Sequence, residues 1–310
     1  MSNQARIDVH HHIVPPQYRQ WLAEHGIDSA GGTPMPQWSV ETALELMDKA
    51  DVATSVLSLS TPGVHLGSAA EARRMARAVN EFSAEVVARQ PKQFGFFAVL
   101  TLPDLDGALA ELEYAFDHLH ADGVVLLANA RGTYLGDPEW EPLMHELNRR
   151  SAVVFEHPAG LPGRGVPGIP DFAADYLLDT ARAVINLARN GCMERYPDIK
   201  MILAHGGGFL PYAAERFAIA CSPDGTFESG VARLQRFYFD TALSSSRWAL
   251  PSLTAFADPE KILFGSDWPF ANTNQALHFV QQADDFDMPA QLRRGISRTN
   301  AEKLFPRLAR

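Results

Sequence analysis

Short apolar runs return along the chain, and the segments between them change period. ARIDV (5–9), TSVLSLS (54–60), FGFFAVL (94–100), GVVLLAN (123–129), AVVFEHP (152–158), IKMILAH (199–205), FYFDTAL (237–243) and ILFGSD (262–267) read as buried strands. Between them, VETALELMDKA (40–50), AEARRMARAVNEFSAEVVARQ (70–90) and LDGALAELEYAFDHL (105–119) bring apolar residues back every three or four positions, the period of a helix with one buried face. Strand and helix alternating in this way predict parallel strands joined by helical crossovers. A closed (β/α)8 barrel, the TIM-barrel form of the α/β class, is the simplest arrangement, and an open doubly wound sheet is the second. No glycine-rich nucleotide loop follows the first strand, which weakens the dinucleotide-binding version of the open sheet. A chain of 310 residues suits one such barrel, a single domain over residues 1–310.

Two stretches interrupt the alternation. Residues 13–38 are rich in Pro and Gly, and AGLPGRGVPGIPDF (159–172) follows the fifth strand. Inside a compact domain such segments are expected to be binding loops or lids at the C-terminal face of the barrel. Residues 274–310 read as helices closing it.

Composition narrows the function classes. Hydrophobic residues make up 46% and charged residues 21%, as in an ordinary globular protein, and no apolar run approaches the roughly 18 residues of a membrane span. The opening MSNQARID shows no basic segment followed by an apolar one, so no secretory signal is expected. Cys192 and Cys221 alone support neither a disulfide framework nor a thiolate metal site, and a cytoplasmic location is the expectation. A formal charge of -10 with scattered basic residues argues against a nucleic-acid surface.

In a barrel of this kind the C-terminal ends of the strands supply the active site. His10 and His12 end the first strand, His157 the fifth, His205 the sixth and Asp267 the eighth. Side chains alternate along a strand, so His10 and His12 share a face with Asp8 while His11 turns to the helix layer. One histidine at such a place is an ordinary packed residue. Four, joined by an aspartate, form a donor set for zinc or a similar divalent ion; Asp8 is expected either below it as orienting support or as a buried carboxylate that binds backbone amides. Trp268 and Phe270 flank Asp267 and are expected to wall an aromatic or conjugated substrate. Arg247 in SSSRW, and Arg131 and Tyr134 after the fourth strand, are candidates to recognise a carboxylate or hydroxyl, and spacing does not choose among them. His65 in PGVHLG reads as an ordinary loop residue. Gly206 to Gly208 read as a place of backbone crowding, because no Lys-Ser/Thr pair follows to make a phosphate loop.

IDVHHH, FEHP, AHGGG and FGSDWPF, in that order, resemble the amidohydrolase superfamily, within it the branch of 2-amino-3-carboxymuconate 6-semialdehyde decarboxylase and related carboxy-lyases. IDVHHHIVPP, LSLSTPGV, FYFDTALS and FGSDWP look most like the 6-methylsalicylate decarboxylases, and the resemblance covers essentially the whole chain. It implies His10, His12, His157 and Asp267 as metal ligands and His205 as a proton shuttle or hydrogen-bond donor beside the metal. It also implies that Arg216, eleven residues past His205, reaches a substrate carboxylate across the interface of a homodimer or larger homo-oligomer. Binuclear members carry a carbamylated lysine on the fourth strand. GVVLLAN has no lysine, so one divalent ion is expected, zinc first and manganese second.

Two chemistries then compete. In one, Asp267 or His205 protonates the carbon bearing a carboxylate and carbon dioxide leaves. In the other, a metal-activated water attacks an amide, lactone or ester, or adds to a double bond. The resemblance and the missing lysine favour the first: a metal-dependent, non-oxidative decarboxylase of a small aromatic or conjugated carboxylic acid such as 6-methylsalicylate. A barrel that binds metal without catalysis is a third class, and the complete residue set stands against it.

Overall fold

The computed structural model describes residues 4–163 and 165–309. Eight parallel strands pair in chain order: β1 (Arg6–His12), β2 (Val52–Ser58), β3 (Phe94–Val99), β4 (Gly123–Leu127), β5 (Val153–His157), β6 (Lys200–Leu203), β7 (Tyr238–Asp240) and β8 (Ile262–Leu263). The Val9 N–H donates to the Phe264 carbonyl at 3.0 Å, and the His12 N–H to the Trp268 carbonyl at 2.7 Å. These bonds join the last strand to the first, which makes the sheet a barrel and rules out the open alternative. Every residue of β1, β3 and β5 is buried, because helices cover the outside while side chains fill the inside. Within the barrel the Phe155 ring meets His10 edge-on at 4.8 Å and stacks on Phe97 at 5.5 Å, and Phe97 meets Phe305 at 5.8 Å. The C-terminal segment thereby adds to an apolar column beneath the strand ends.

Four of the helices start at side chains that cap them. Ser39 and Thr42 form a reciprocal capping box for the helix Val40–Lys49, and Asn272 and Gln275 do so for Thr273–Asp285. Ser68 caps Ala69–Arg89 and Asp104 caps Leu105–Asp117 by accepting from backbone N–H groups of the first turn.

The first insertion is more ordered than its Pro and Gly content predicts. Pro16 opens a helix to Glu24, a position where its missing N–H is harmless, and Tyr18, Trp21 and Leu22 bury one face at helical spacing. Beyond it a ribbon pairs Ser29–Ala30 with Thr33–Pro34 around Gly31 and Gly32. A Cβ on Gly31, where φ is +58°, would stand 2.1 Å from the Tyr176 hydroxyl, so only glycine lets the ribbon lie this close. The Phe172 N–H donates to the Gly31 carbonyl at 3.2 Å, tying the insertion after β5 to the one after β1 across the barrel mouth.

Strand β1 is not regular. Asp8 pairs with Ser55 but His11 with Leu57, so three steps on β1 match two on β2. This bulge re-aims the side chains around the histidine run.

Candidate functional site

The loop end of each of the last three strands carries a residue in the left-handed region. His205, Leu243 and Asp267 have φ of +54°, +53° and +60°, values a residue with a Cβ adopts at a cost of about 1–3 kcal/mol. After His205 the chain passes through close quarters: a Cβ on Gly207 would stand 2.9 Å from the Phe239 ring, and one on Gly208 would stand 2.3 Å from the Leu177 carbonyl oxygen. The crowding expected of the AHGGG run is present.

The ligand-capable atoms of His10, His12, His157 and Asp267 lie within 4.8 Å of one another, and all four residues are buried. His10 Nε2 and His12 Nε2 are 3.0 Å apart, with Asp267 Oδ1 3.2 Å from the first and 3.1 Å from the second. The other nitrogen of each ring is engaged elsewhere. His10 Nδ1 donates to Asp240 Oδ2 at 2.7 Å, His157 Nδ1 donates to the Pro158 carbonyl at 2.8 Å, and His12 Nδ1 meets Ser58 Oγ at 3.1 Å. Protonated Nδ1 atoms leave the Nε2 lone pairs turned toward a common centre, the arrangement of metal-binding histidines held by outer partners. Lone pairs this close repel unless a cation lies among them. Three imidazoles and one carboxylate, with no lysine on β4, therefore fit one divalent ion.

Charge points the same way. Burial opposes the charged form of the His10 ring, yet the carboxylates of Asp240 and Asp267 outweigh it and push its pKa up to about 10. Burial, together with the neighbouring histidines, holds His157 well below its ordinary value. Burial alone would raise Asp267, but His10, His12 and His205 around it hold it well below the usual carboxylate range. Two anionic carboxylates facing one another across His10 call for a positive charge between them.

His205 sits at the edge of this cluster. Its Nε2 is 3.6 Å from Asp267 Oδ2, its backbone N–H donates to Asp240 Oδ1 at 3.0 Å, and its buried Nδ1 has no hydrogen-bond partner among the described residues. A cavity of about 430 Å³ opens over His157, His205 and Asp267, with Phe172, Leu177, Phe270 and Phe279 among its apolar walls and Thr61, Tyr176 and Gln275 among its polar ones. Phe270 packs edge-on against the His12 ring at 5.3 Å.

Other sequence candidates fall elsewhere. Trp268 does not line the cavity: it lies 5.0 Å from the His11 ring on the outer side of β1, and its indole N–H donates to Thr273 Oγ1 at 3.3 Å. Arg216, on the exposed face of the helix Leu210–Cys221, and Arg247, whose guanidinium sits 4.4 Å from the Trp248 ring, are both outside the cavity lining. Arg131 donates to His65 Nδ1 at 3.2 Å beside a neighbouring cavity, and the Tyr134 hydroxyl donates to Asp179 at 2.8 Å. Asp8 supports backbone and not a ligand ring. It accepts from the N–H groups of His10 and Ser266, each at 3.1 Å, and its other oxygen meets the Ser266 hydroxyl at 2.6 Å and His11 Nδ1 at 3.3 Å. The bulge between Asp8 and His11 breaks the simple alternation that had placed Asp8 beneath the ligands. The orienting carboxylate is Asp240, whose signal was an acidic residue inside the apolar run FYFDTAL.

The sequence model of the amidohydrolase family matches residues 7–307. The chain belongs to the amidohydrolase family. This amidohydrolase is 38% identical to the 6-methylsalicylic acid decarboxylase of Penicillium expansum, over 98% of its own length and 97% of that protein. It is 37% identical to the decarboxylase yanB of Aspergillus niger, over 97% of its own length and 88% of that protein. Among solved structures it resembles the dihydroxybenzoic acid decarboxylase of Polaromonas sp., determined with bound manganese and the inhibitor 2-nitroresorcinol. The TM-score is 0.82 at 23% identity, covering 97% of each chain, a likeness of fold.

Proposed function

We propose that this amidohydrolase is a metal-dependent, non-oxidative decarboxylase of small hydroxylated aromatic acids, with 6-methylsalicylate as its type of substrate. The observation that carries the reading is the union of a four-donor cluster with a mostly apolar cavity of about 430 Å³, within the usual range for a site that encloses one small ligand. The names of its near relatives support the same chemistry.

His10, His12, His157 and Asp267 are the ligands of the ion, zinc in the first instance, with manganese also suited to these nitrogen and oxygen donors. When bound, a divalent ion there supplies Lewis acidity and an anchor for substrate oxygens. Phe172, Phe270 and Phe279 flank the ring and exclude water, so that charge developing during the reaction meets fixed protein groups. The pair His205 and Asp267 carries a proton to the ring carbon that bears the carboxylate. Once that carbon is protonated, its bond to the carboxylate breaks, the bonding electrons restore the aromatic ring, and carbon dioxide departs. Solvent returns the proton to the pair. The outer helix carrying Tyr212, Arg216 and Ile219 on one face, exposed along with Trp248, is the surface through which the enzyme forms a homodimer or larger homo-oligomer.

The test is a panel of hydroxybenzoates incubated with metal-loaded protein. Equal amounts of carbon dioxide and the corresponding phenol are expected, with 3-methylphenol formed from 6-methylsalicylate. Turnover of lactones or amides, with every acid left intact, would assign a hydrolase instead.

A further inference from the structure

Asp179 lies wholly buried on the helix Asp175–Arg189, behind the loop that follows β5, and the mechanism makes no use of it. Its Oδ2 accepts from the backbone N–H groups of Ala159 at 2.9 Å and Gly160 at 3.2 Å. Its Oδ1 accepts from the Tyr134 hydroxyl at 2.8 Å and from Asn129 Nδ2 at 2.9 Å. The Ala159 N–H belongs to the same peptide unit as the Pro158 carbonyl, and that carbonyl accepts from His157 Nδ1 at 2.8 Å. A peptide unit is planar, so a carboxylate that fixes its N–H end also fixes the direction of its carbonyl. Hydrogen bonds in series polarise one another, so the same contact makes the carbonyl a stronger acceptor.

We propose that Asp179 is a positioning residue for His157: through the Pro158–Ala159 peptide it sets the ring's orientation and its Nδ1–H tautomer, leaving Nε2 free for the ion. This rests on the reading of His157 as a metal ligand. The relay does for His157 what Asp240 does directly for His10, one peptide further out. It also explains why a carboxylate stands in a fully enclosed place. There Asp179 gathers donors from Asn129 and Tyr134, which follow β4, and from Ala159 and Gly160 in the loop after β5, directly behind His157.

Two measurements test it. In metal-free wild-type protein, nitrogen-15 spectra of the histidines should show His157 protonated on Nδ1, with a hydrogen-bonded proton slow to exchange; a ring protonated on Nε2 would overturn the proposal and needs no variant to be seen. In the second, metal affinity is measured by chelator competition for Asp179→Asn and, as a control, Tyr134→Phe. The control removes a bond to Asp179 on the side away from Ala159. Asp179→Asn should weaken metal binding about tenfold and shift the His157 nitrogen signals. Tyr134→Phe should lower thermal stability while leaving metal affinity within about twofold. Equal loss of affinity in both variants, or wild-type affinity with unmoved His157 signals in Asp179→Asn, would reduce Asp179 to a loop clamp. Wild-type protein that shows the tautomer yet turns over no acid would contradict the proposed function and leave this inference standing.

Discussion

Asp240 Oδ2 and His10 Nδ1 meet at 2.7 Å with both side chains wholly buried, while Asp240 Oδ1 accepts from the backbone N–H of His205 at 3.0 Å and of Ala242 at 2.9 Å. One carboxylate at the end of β7 thus orients a ring of the donor cluster from β1 and anchors the backbone of His205 after β6. Asp240→Asn keeps the size and loses the charge. Metal binding should weaken ten- to a hundredfold, read by chelator competition, and kcat should fall with it even at saturating metal because His205 is anchored by the same group. Unchanged metal affinity would separate Asp240 from the site.

His205 should divide binding from chemistry. His205→Asn keeps a side chain of similar shape but cannot carry a proton, and kcat should fall about 10²- to 10⁴-fold while metal content per chain stays at the wild-type value. Metal analysis beside steady-state kinetics checks both halves.

Removing the metal should make stability depend on pH in a predictable sense. The folded pKa of His10 is raised from 6.5 to about 10, so its stabilising contribution is complete below pH 6.5 and is lost as pH rises toward 10. His157 and His12 are depressed in the folded state, so the unfolded chain takes up their protons first as pH falls through 6.5 and stability declines on that side too. Stripped protein should therefore melt highest near pH 6.5. Metal-loaded protein should hold its melting temperature on the alkaline side, because the ion replaces the proton that His10 would lose. Thermal denaturation with and without metal across this range measures it.

Phe270 and Trp268 should part company. Phe270→Ala opens the cavity wall beside His12 and should lower kcat/KM about tenfold or more, chiefly through KM for the aromatic acid. Trp268→Phe changes packing against His11 outside the cavity and should cost about 1 kcal/mol of stability with kcat and KM within about twofold. Kinetics and denaturant melts on the two variants give the comparison.

Much of this was legible in the chain. The strands were visible as apolar runs because each is buried on both faces, and their order as a barrel followed from alternation with helices. The positions of His10, His12, His157, His205 and Asp267 at strand ends bring them together in sequence terms alone, since parallel strands of a barrel all end at one face. Of the two readings of Asp8 the backbone-binding one holds, and alternation could not choose it, because the bulge in β1 depends on pairing with β2 that local sequence does not display. Trp268 misled for a related reason: adjacency to Asp267 says nothing of which side a ring takes, and its partner proved to be His11. Asp240, Tyr176 and Asp179 gain their roles only from distant contacts, with His10, the Gly31 ribbon and the Ala159 peptide respectively. The helix at Pro16–Glu24 hid behind prolines that in fact mark its start.

The most direct measurement titrates a divalent ion into stripped protein while following carbon dioxide released from 6-methylsalicylate, with Asp267→Ala run alongside. Release should be absent without metal, rise in proportion to bound ion and level off at one ion per chain, with the variant neither retaining the ion nor releasing carbon dioxide. Full release from stripped protein, or a rise that continues to two ions per chain, would contradict a one-metal decarboxylase built on His10, His12, His157 and Asp267.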